Sequence, residues 1–274
     1  MSLLVINWNL DPVFFSVFGF DVRYYGILFA FAFVVSYWVF TKMYKYEGIK
    51  VTEIDTLAFY VGIGVVVGAR LGHVLFYQPE YYFSHPWHIL NIREGGLASH
   101  GAAIGILLAL WLYSRKHKRP FIWLLDRIAL AVPIAGMFVR LGNLMNSEIY
   151  GHVTNLPWGF VFRRAGETLP KHPTQIYEAL AYLFIFFVLY WLHFKKNYAF
   201  KKPGAQFGVF LILLFMARFL IEFIKNDQVG FEQAMALNMG QLLSIPFILL
   251  GIGFIIYSNK YAKPYPLPQD SKRK

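Results

Sequence analysis

Seven apolar runs constrain this chain more than any other feature. They lie at about Tyr24–Phe40, Leu57–Phe76, Leu97–Tyr113, Phe121–Val139, Ile176–Phe194, Phe207–Phe223 and Met239–Tyr257. A bilayer is spanned by about 20 apolar residues, and flanking aromatics bring each run near that length. Only 15% of the 274 residues are charged, against 57% hydrophobic. Soluble domains average about 25% charged. The sequence therefore reads as one all-α integral membrane domain of seven transmembrane helices, with no internal repeat and no soluble domain. No basic stretch precedes the first apolar run, so no cleaved signal peptide is expected.

The basic residues give the topology. The loops after runs one, three and five carry Lys42, Lys45, Lys50, Arg115, Lys116, Lys118, Arg119, Lys195, Lys196, Lys201 and Lys202. The tail adds Lys260, Lys263, Lys272, Arg273 and Lys274. The opposite side holds only Arg23, Arg93, Arg163, Arg164, Lys171 and Lys225. Positive loops stay cytoplasmic, so the N-terminus is expected outside and the C-terminus inside. Because its basic residues sit in short clusters between apolar runs, the net charge of +11 signals topology, not nucleic-acid binding. Residues 143–173 form an outer loop or small head. Residues 258–274, with three prolines and mixed charge, form a flexible inner tail. The absence of cysteine excludes a thiolate metal site and an enzymic cysteine nucleophile.

On that topology the unusual polar residues collect on the outer side. They include Tyr25, Arg70, His100, Arg140, Asn143, Asn146, Glu148, His172, Gln175, Glu178, Arg218 and Glu222. Ionisable groups at membrane depth are costly and mark function by default. Arg70, Arg140 and Arg218 each interrupt or end an apolar run, and a guanidinium forks onto phosphate. The structural alternative is snorkelling or an ion pair such as Arg218 with Glu222 at i,i+4. His100 sits among glycines in Glu94-Gly-Gly-Leu-Ala-Ser-His-Gly101. An unperturbed imidazole titrates near 6.5 and suits a general base, while a capping histidine is the alternative.

The twelve residues Arg140-Leu-Gly-Asn-Leu-Met-Asn-Ser-Glu-Ile-Tyr-Gly151 crowd a cation, two amides and a carboxylate. Positions 140, 143 and 146 share a face if the helix continues; Gly142 makes a break equally possible. Asparagine is also common interhelical glue. Tyr24 and Tyr25 suit an interfacial aromatic belt. His172-Pro-Thr-Gln-Ile-Tyr-Glu178 reads as a helix start with Pro173 in the first turn. No metal-ligand pattern is present and no cofactor is expected. The residues fit a lipid-processing enzyme with an arginine-rich outer cavity. An anion or lipid transporter, or a lipid-binding scaffold, is the alternative, which lacks the internal symmetry common in transporters.

Arg140-x-Gly-Asn-x-x-Asn-x-Glu-x-x-Gly151 resembles the signature of the bacterial prolipoprotein diacylglyceryl transferase family. Six further segments match in order. They are Tyr25-Gly26, Gly68-Ala-Arg-Leu-Gly72, Gly95-Gly-Leu-x-x-His-Gly101, His172-Pro-Thr-Gln-x-Tyr-Glu178, Arg218-Phe-x-x-Glu222-Phe and Met239-Gly-Gln-x-x-Ser-x-Pro246. The resemblance implies transfer of the diacylglyceryl group of phosphatidylglycerol to the lipobox cysteine of a prolipoprotein signal peptide. A thioether forms and glycerol phosphate leaves, at the outer leaflet of the bacterial inner membrane. By the same matching, His100 corresponds to the family's base, with Tyr25 as the other candidate for that role. Arg140 and Arg218 match its arginines. Asn143, Asn146, Glu148, Gly151 and Glu222 belong to the lipid site, with Arg70 a weaker member. The chain departs from the family at Lys225, where many members have arginine, and at Leu214, where some have tyrosine.

Overall fold

Apolar helices dominate the chain, as a membrane demands, because lipid offers no partner to an unpaired backbone amide. A computed structural model describes residues 5–91, 96, 98–226 and 235–268. Three short strands come first: β1 (Ile6–Trp8), β2 (Val13–Val17) and β3 (Phe20–Arg23). There follow α1 (Tyr24–Glu47), α2 (Thr52–Phe76), α3 (Pro79–Ser84), a 3-10 turn at Pro86–Leu90, α4 (Ser99–His117) and α5 (Phe121–Met145). The chain continues with β4 (Phe160–Phe162), α6 (Thr174–Phe194), α7 (Tyr198–Lys201), α8 (Ala205–Glu222) and α9 (Met239–Lys260).

Six of these helices, α1, α2, α5, α6, α8 and α9, are long and apolar enough to cross a membrane. The helix in the place of the third of the seven expected spans, α4, is not among them. Its apolar middle is bounded by Ser99-His100 on one side and Arg115-Lys116-His117 on the other, which leaves too little apolar length by that measure. The strands correct the all-α expectation. The helix ends also move: α1 runs to Glu47, α5 to Met145 and α9 to Lys260. The expected flexible tail from 258 is therefore helical at its start, and further on the Tyr265 amide donates to Phe200 O at 2.8 Å.

The chain divides into two compact units. Residues 1–40 and 126–267 form one, and residues 41–125 with 268–274 the other. In the second unit α2 packs on α4 through glycines. A Cβ on Gly64 would fall 2.6 Å from Gly105 O, and one on Gly72 would fall 2.7 Å from Gly101 Cα. Gly64, Gly68 and Gly72 face Gly101, Gly105 and Ala109, a small-xxx-small seam on both helices. Such seams let backbones approach where lipid supplies no hydrophobic drive. Gly105→Val is expected to separate α2 from α4. The check is thermal unfolding in detergent micelles, where the variant melts at least several degrees below wild type, since overpacking costs about 1–3 kcal/mol.

In the first unit α8 and α9 approach through Gly208 and Gly251, each placed so that a Cβ would fall 2.7 Å from the other's carbonyl. The buried carboxylate of Asp126 accepts from the amides of Gly204 (2.7 Å) and Phe207 (2.9 Å). It thereby satisfies buried donors that the start of α8 leaves without a helical partner. β1 pairs in parallel with β4, Ile6 opposite Phe160. Trp8 donates to Leu144 O at 3.0 Å and packs with Tyr150 on the cluster of Leu144, Phe160 and Phe162. Val153 and Phe160 each form an antiparallel bridge with Lys171. The segment after α5 is therefore a folded cap with its own core.

Candidate functional site

The polar residues of the first unit converge where α5, α6 and α8 end or begin. α5 continues through Gly142, so Arg140 and Asn143 lie one turn apart on one face. Gly136 and Gly142 flank Arg140, and each admits a tyrosine ring. A Cβ at Gly136 would be 2.9 Å from Tyr182 Cδ2, and one at Gly142 would be 2.7 Å from Tyr25 Cδ2. Tyr25, at the start of α1, thus rests against α5 and has Glu148 and Arg140 as charged neighbours.

The backbone turns sharply past Met145, with Ser147 and Ile149 at φ of 55° and 61°. Left-handed conformations cost non-glycine residues energy and persist only when their surroundings hold them. Here Gln175 Nε2 donates to Glu148 O (2.7 Å) and Thr174 Oγ1 to Ile149 O (2.8 Å). Glu148 Oε1 in turn accepts from Asn143 Nδ2 (2.8 Å) and Asn146 Nδ2 (3.2 Å). The asparagines and Glu148 therefore form one hydrogen-bonded loop across the end of α5. Gly151 ends it, its amide donating to His172 O at 2.9 Å. A Cβ there would press on Ile224 O and lie 2.8 Å from Thr174 Cγ2.

Charges alternate beneath this turn. Arg140 Nε is 3.0 Å from Glu178 Oε2, an ionic contact without hydrogen-bond geometry. Lys225 Nζ lies 3.2 Å from Glu178 Oε1 and 3.3 Å from Glu222 Oε2. Arg140 Nη1 also donates to Asn143 Oδ1 at 3.3 Å, and Arg140 hydrogen-bonds Tyr182. Tyr182 has both Arg140 and Arg218 as charged neighbours. The i,i+4 pairing of Arg218 with Glu222 raised from spacing does not form; Glu222 pairs with Lys225 instead. Among the described residues Arg218 has no carboxylate partner, and its Nε is buried without a hydrogen-bond partner. An unmet buried donor costs about 1–3 kcal/mol.

His100 belongs to the second unit. It opens α4 and is exposed, its ring edge-on to Phe76 (5.3 Å) and stacked on Tyr77 (5.8 Å). Gly101 packs its backbone against Gly68 and Gly72 of α2. Arg70 has another task than the one expected. It is buried and donates to the carbonyls of His88, Ile89, Asn91 and Gly96. A guanidinium so occupied ties α2 to His88, Ile89, Asn91 and Gly96 and has little left for phosphate. Gly95 and Leu97 of the His100 motif lie outside the described residues.

The sequence did not point to Tyr182, to the pairing of Glu178 with Arg140, or to the task of Lys225, which stood out there only as a departure from the family. Gln175, Glu178 and Tyr182 recur at helical spacing along α6, and that periodicity was the available signal. Gln175 and Glu178 are buried ligands of the turn and of Arg140, not helix caps. Among the described residues no group of three His, Cys, Asp or Glu is placed to hold a metal.

In the cap, Tyr150 Oη donates to Glu167 Oε1 at 2.8 Å. Burial, then the bond and charge of Glu167, push this phenol up to about 12. A raised folded pKa means the contribution is complete below the unfolded value near 10 and is lost as pH climbs toward 12. The absorbance difference between wild type and Tyr150→Phe is expected to titrate near pH 12; a midpoint near 10 contradicts the buried bond.

Residues 12–257 match the family model described as prolipoprotein diacylglyceryl transferase. The chain is similar to the phosphatidylglycerol–prolipoprotein diacylglyceryl transferases of three bacteria. That of Tolumonas auensis is 48% identical over 257 residues, covering 93% of this chain and 98% of the relative. That of Porphyromonas gingivalis is 48% identical over 269 residues, with 93% and 95% covered. That of Bacteroides fragilis is 46% identical over 271 residues, with 94% and 97% covered.

Proposed function

We infer the reaction from kinship and geometry together: the chain belongs to the prolipoprotein diacylglyceryl transferase family, and it transfers the diacylglyceryl group of phosphatidylglycerol to the lipobox cysteine of a prolipoprotein. It is a multi-pass membrane enzyme. The observation that carries the lipid half of this reading is Arg218, with its buried, unpartnered Nε, sharing Tyr182 as a neighbour with Arg140. Two guanidiniums there suit a phosphodiester.

The chemistry is a displacement at carbon. The peptide's cysteine thiol gives its proton to a base, and the thiolate attacks the sn-3 carbon of the diacylglyceryl group. The bond from that carbon to the phosphate oxygen breaks, and its electron pair leaves with glycerol phosphate. The nucleophile belongs to the substrate, consistent with an enzyme that has no cysteine. We assign His100 as the base, with Tyr25 the alternative, supported by His100's exposure and its ring contacts with Phe76 and Tyr77. Arg140 and Arg218 are assigned to the charge growing on the leaving phosphate. Asn143, Asn146, Glu148 and Gly151 build the turn beside them, and Glu222 pairs with Lys225 below.

We place α4 as a seventh span, supported by its glycine seam with α2. The N-terminus and residues 143–173 are assigned to the periplasm and the C-terminal end to the cytoplasm, supported by the uneven basic loops. The site then faces the outer leaflet of the inner membrane, where phosphatidylglycerol and the lipobox peptide meet it. The test is purified protein with phosphatidylglycerol and a lipobox peptide, read by mass spectrometry. The expected result is a peptide heavier by one diacylglyceryl group, and none when the peptide cysteine is serine. Lipid binding without that product restores the transporter or scaffold reading.

A further inference from the structure

We propose that Glu178 is a positioning residue for this transfer, holding the guanidinium of Arg140 in place with Lys225 as its counter-charge. The proposal rests on the transferase reading above. Glu178 is only 1% exposed and its two carboxylate oxygens face two different cations, Arg140 at 3.0 Å and Lys225 at 3.2 Å. It is thus shielded from any substrate and acts through Arg140. That arginine's Nε side is directed at Glu178, its Nη1 at Asn143, and Tyr182 supplies a further bond. A guanidinium has five N–H groups. The ionic contact to Glu178 and the bond from Nη1 to Asn143 hold its plane, and N–H groups remain for phosphate oxygens.

Lys225 makes this arrangement tenable inside the protein. A lone buried carboxylate is costly, and one beside a single arginine would neutralise it at the expense of its pull on phosphate. The chain of Arg140, Glu178, Lys225 and Glu222 alternates sign from end to end, so each carboxylate is compensated. The ammonium is a compact charge that reaches Glu178 and Glu222 together. Its backbone is also tied to the catalytic turn. Gly151 and Lys225 form an antiparallel bridge, and the His152 amide donates to Ile224 O at 2.9 Å. The lysine found where many family members carry arginine is therefore accommodated as a two-carboxylate hub.

Removing one member of a buried ion pair destabilises any protein, so a single variant cannot separate positioning from folding. The experiment compares Glu178→Gln, Lys225→Met and the double variant for kcat, KM for phosphatidylglycerol and thermal unfolding. Glu178→Gln is expected to lower kcat by at least about tenfold with KM within about threefold, because the lost contact acts on the transition state. The double variant removes both charges and is expected to melt above either single variant while its kcat stays low. Lys225→Arg keeps the charge and is expected to retain most of kcat. The proposal is overturned by a wild-type kcat in Glu178→Gln, or by a double variant whose kcat returns with its stability. Should Glu178→Gln not fold, the double variant against Lys225→Met decides on the same criterion. A wild-type protein that yields no thioether is a failure of the transferase reading instead.

Discussion

His100→Ala is expected to slow transfer by about 100- to 10,000-fold at neutral pH, the usual contribution of a positioned general base. The peptide thiol, with an ordinary pKa near 8.5, is largely protonated there and must lose its proton to attack. The deficit should shrink as pH rises through that value, because the thiol then ionises without help. Tyr25→Phe distinguishes the two candidate bases. If Tyr25 takes the proton, its variant shows the pH-dependent rescue and His100→Ala does not. A deficit in His100→Ala that is the same at pH 7 and pH 9.5 removes His100 from proton transfer. The residue's surroundings make the comparison clean. Its ring stacks on Tyr77 and meets Phe76 edge-on, while the packing of α2 on α4 depends on Gly101 and Gly105 rather than on the imidazole.

Arg140→Ala is expected to lower kcat by about 100- to 1,000-fold, corresponding to about 3 kcal/mol for one lost transition-state donor. Its effect on KM should be smaller, because charge on the leaving phosphate is greatest as the carbon–oxygen bond breaks. Arg140→Lys keeps the charge but loses the planar fork, and it should fall between wild type and alanine. The substitution leaves Glu178 paired with Lys225, so folding is expected to survive. Turnover of phosphatidylglycerol in micelles measures the effect, and an Arg140→Ala enzyme within threefold of wild type contradicts the assigned role.

The membrane class was legible because apolar length and charge asymmetry are additive along the chain. The glycine motifs were legible as signatures, but their tasks were not. Gly101 read as a flank of His100 and Gly68 and Gly72 as motif positions, whereas together with Gly105 they are a packing seam whose tightness depends on the partner helix. Arg70 shows the same limit. Its sequence setting equals that of Arg140, an arginine interrupting an apolar run. What separates them is four carbonyls from residues 88–96 against one carboxylate from α6, and both are long-range facts. The strands were missed because β1 and β4 are three residues each and pair across about 150 positions of chain. Helix ends were underestimated because Lys42, Lys45 and Arg115 continue a helix beyond its apolar stretch, which is what long basic side chains do at an interface.

The most direct measurement follows the oxygen that bridges the sn-3 carbon and phosphorus. Phosphatidylglycerol carrying an oxygen-18 label at that atom, turned over with a lipobox peptide, should deliver all of the label to glycerol phosphate and none to the peptide. That outcome is displacement at carbon by sulfur, with the arginines receiving the departing phosphate. Label retained on the peptide-bound lipid, or a peptide carrying phosphorus, would mean that the bond between oxygen and phosphorus is the one that breaks, and it would contradict the roles given to Arg140 and Arg218.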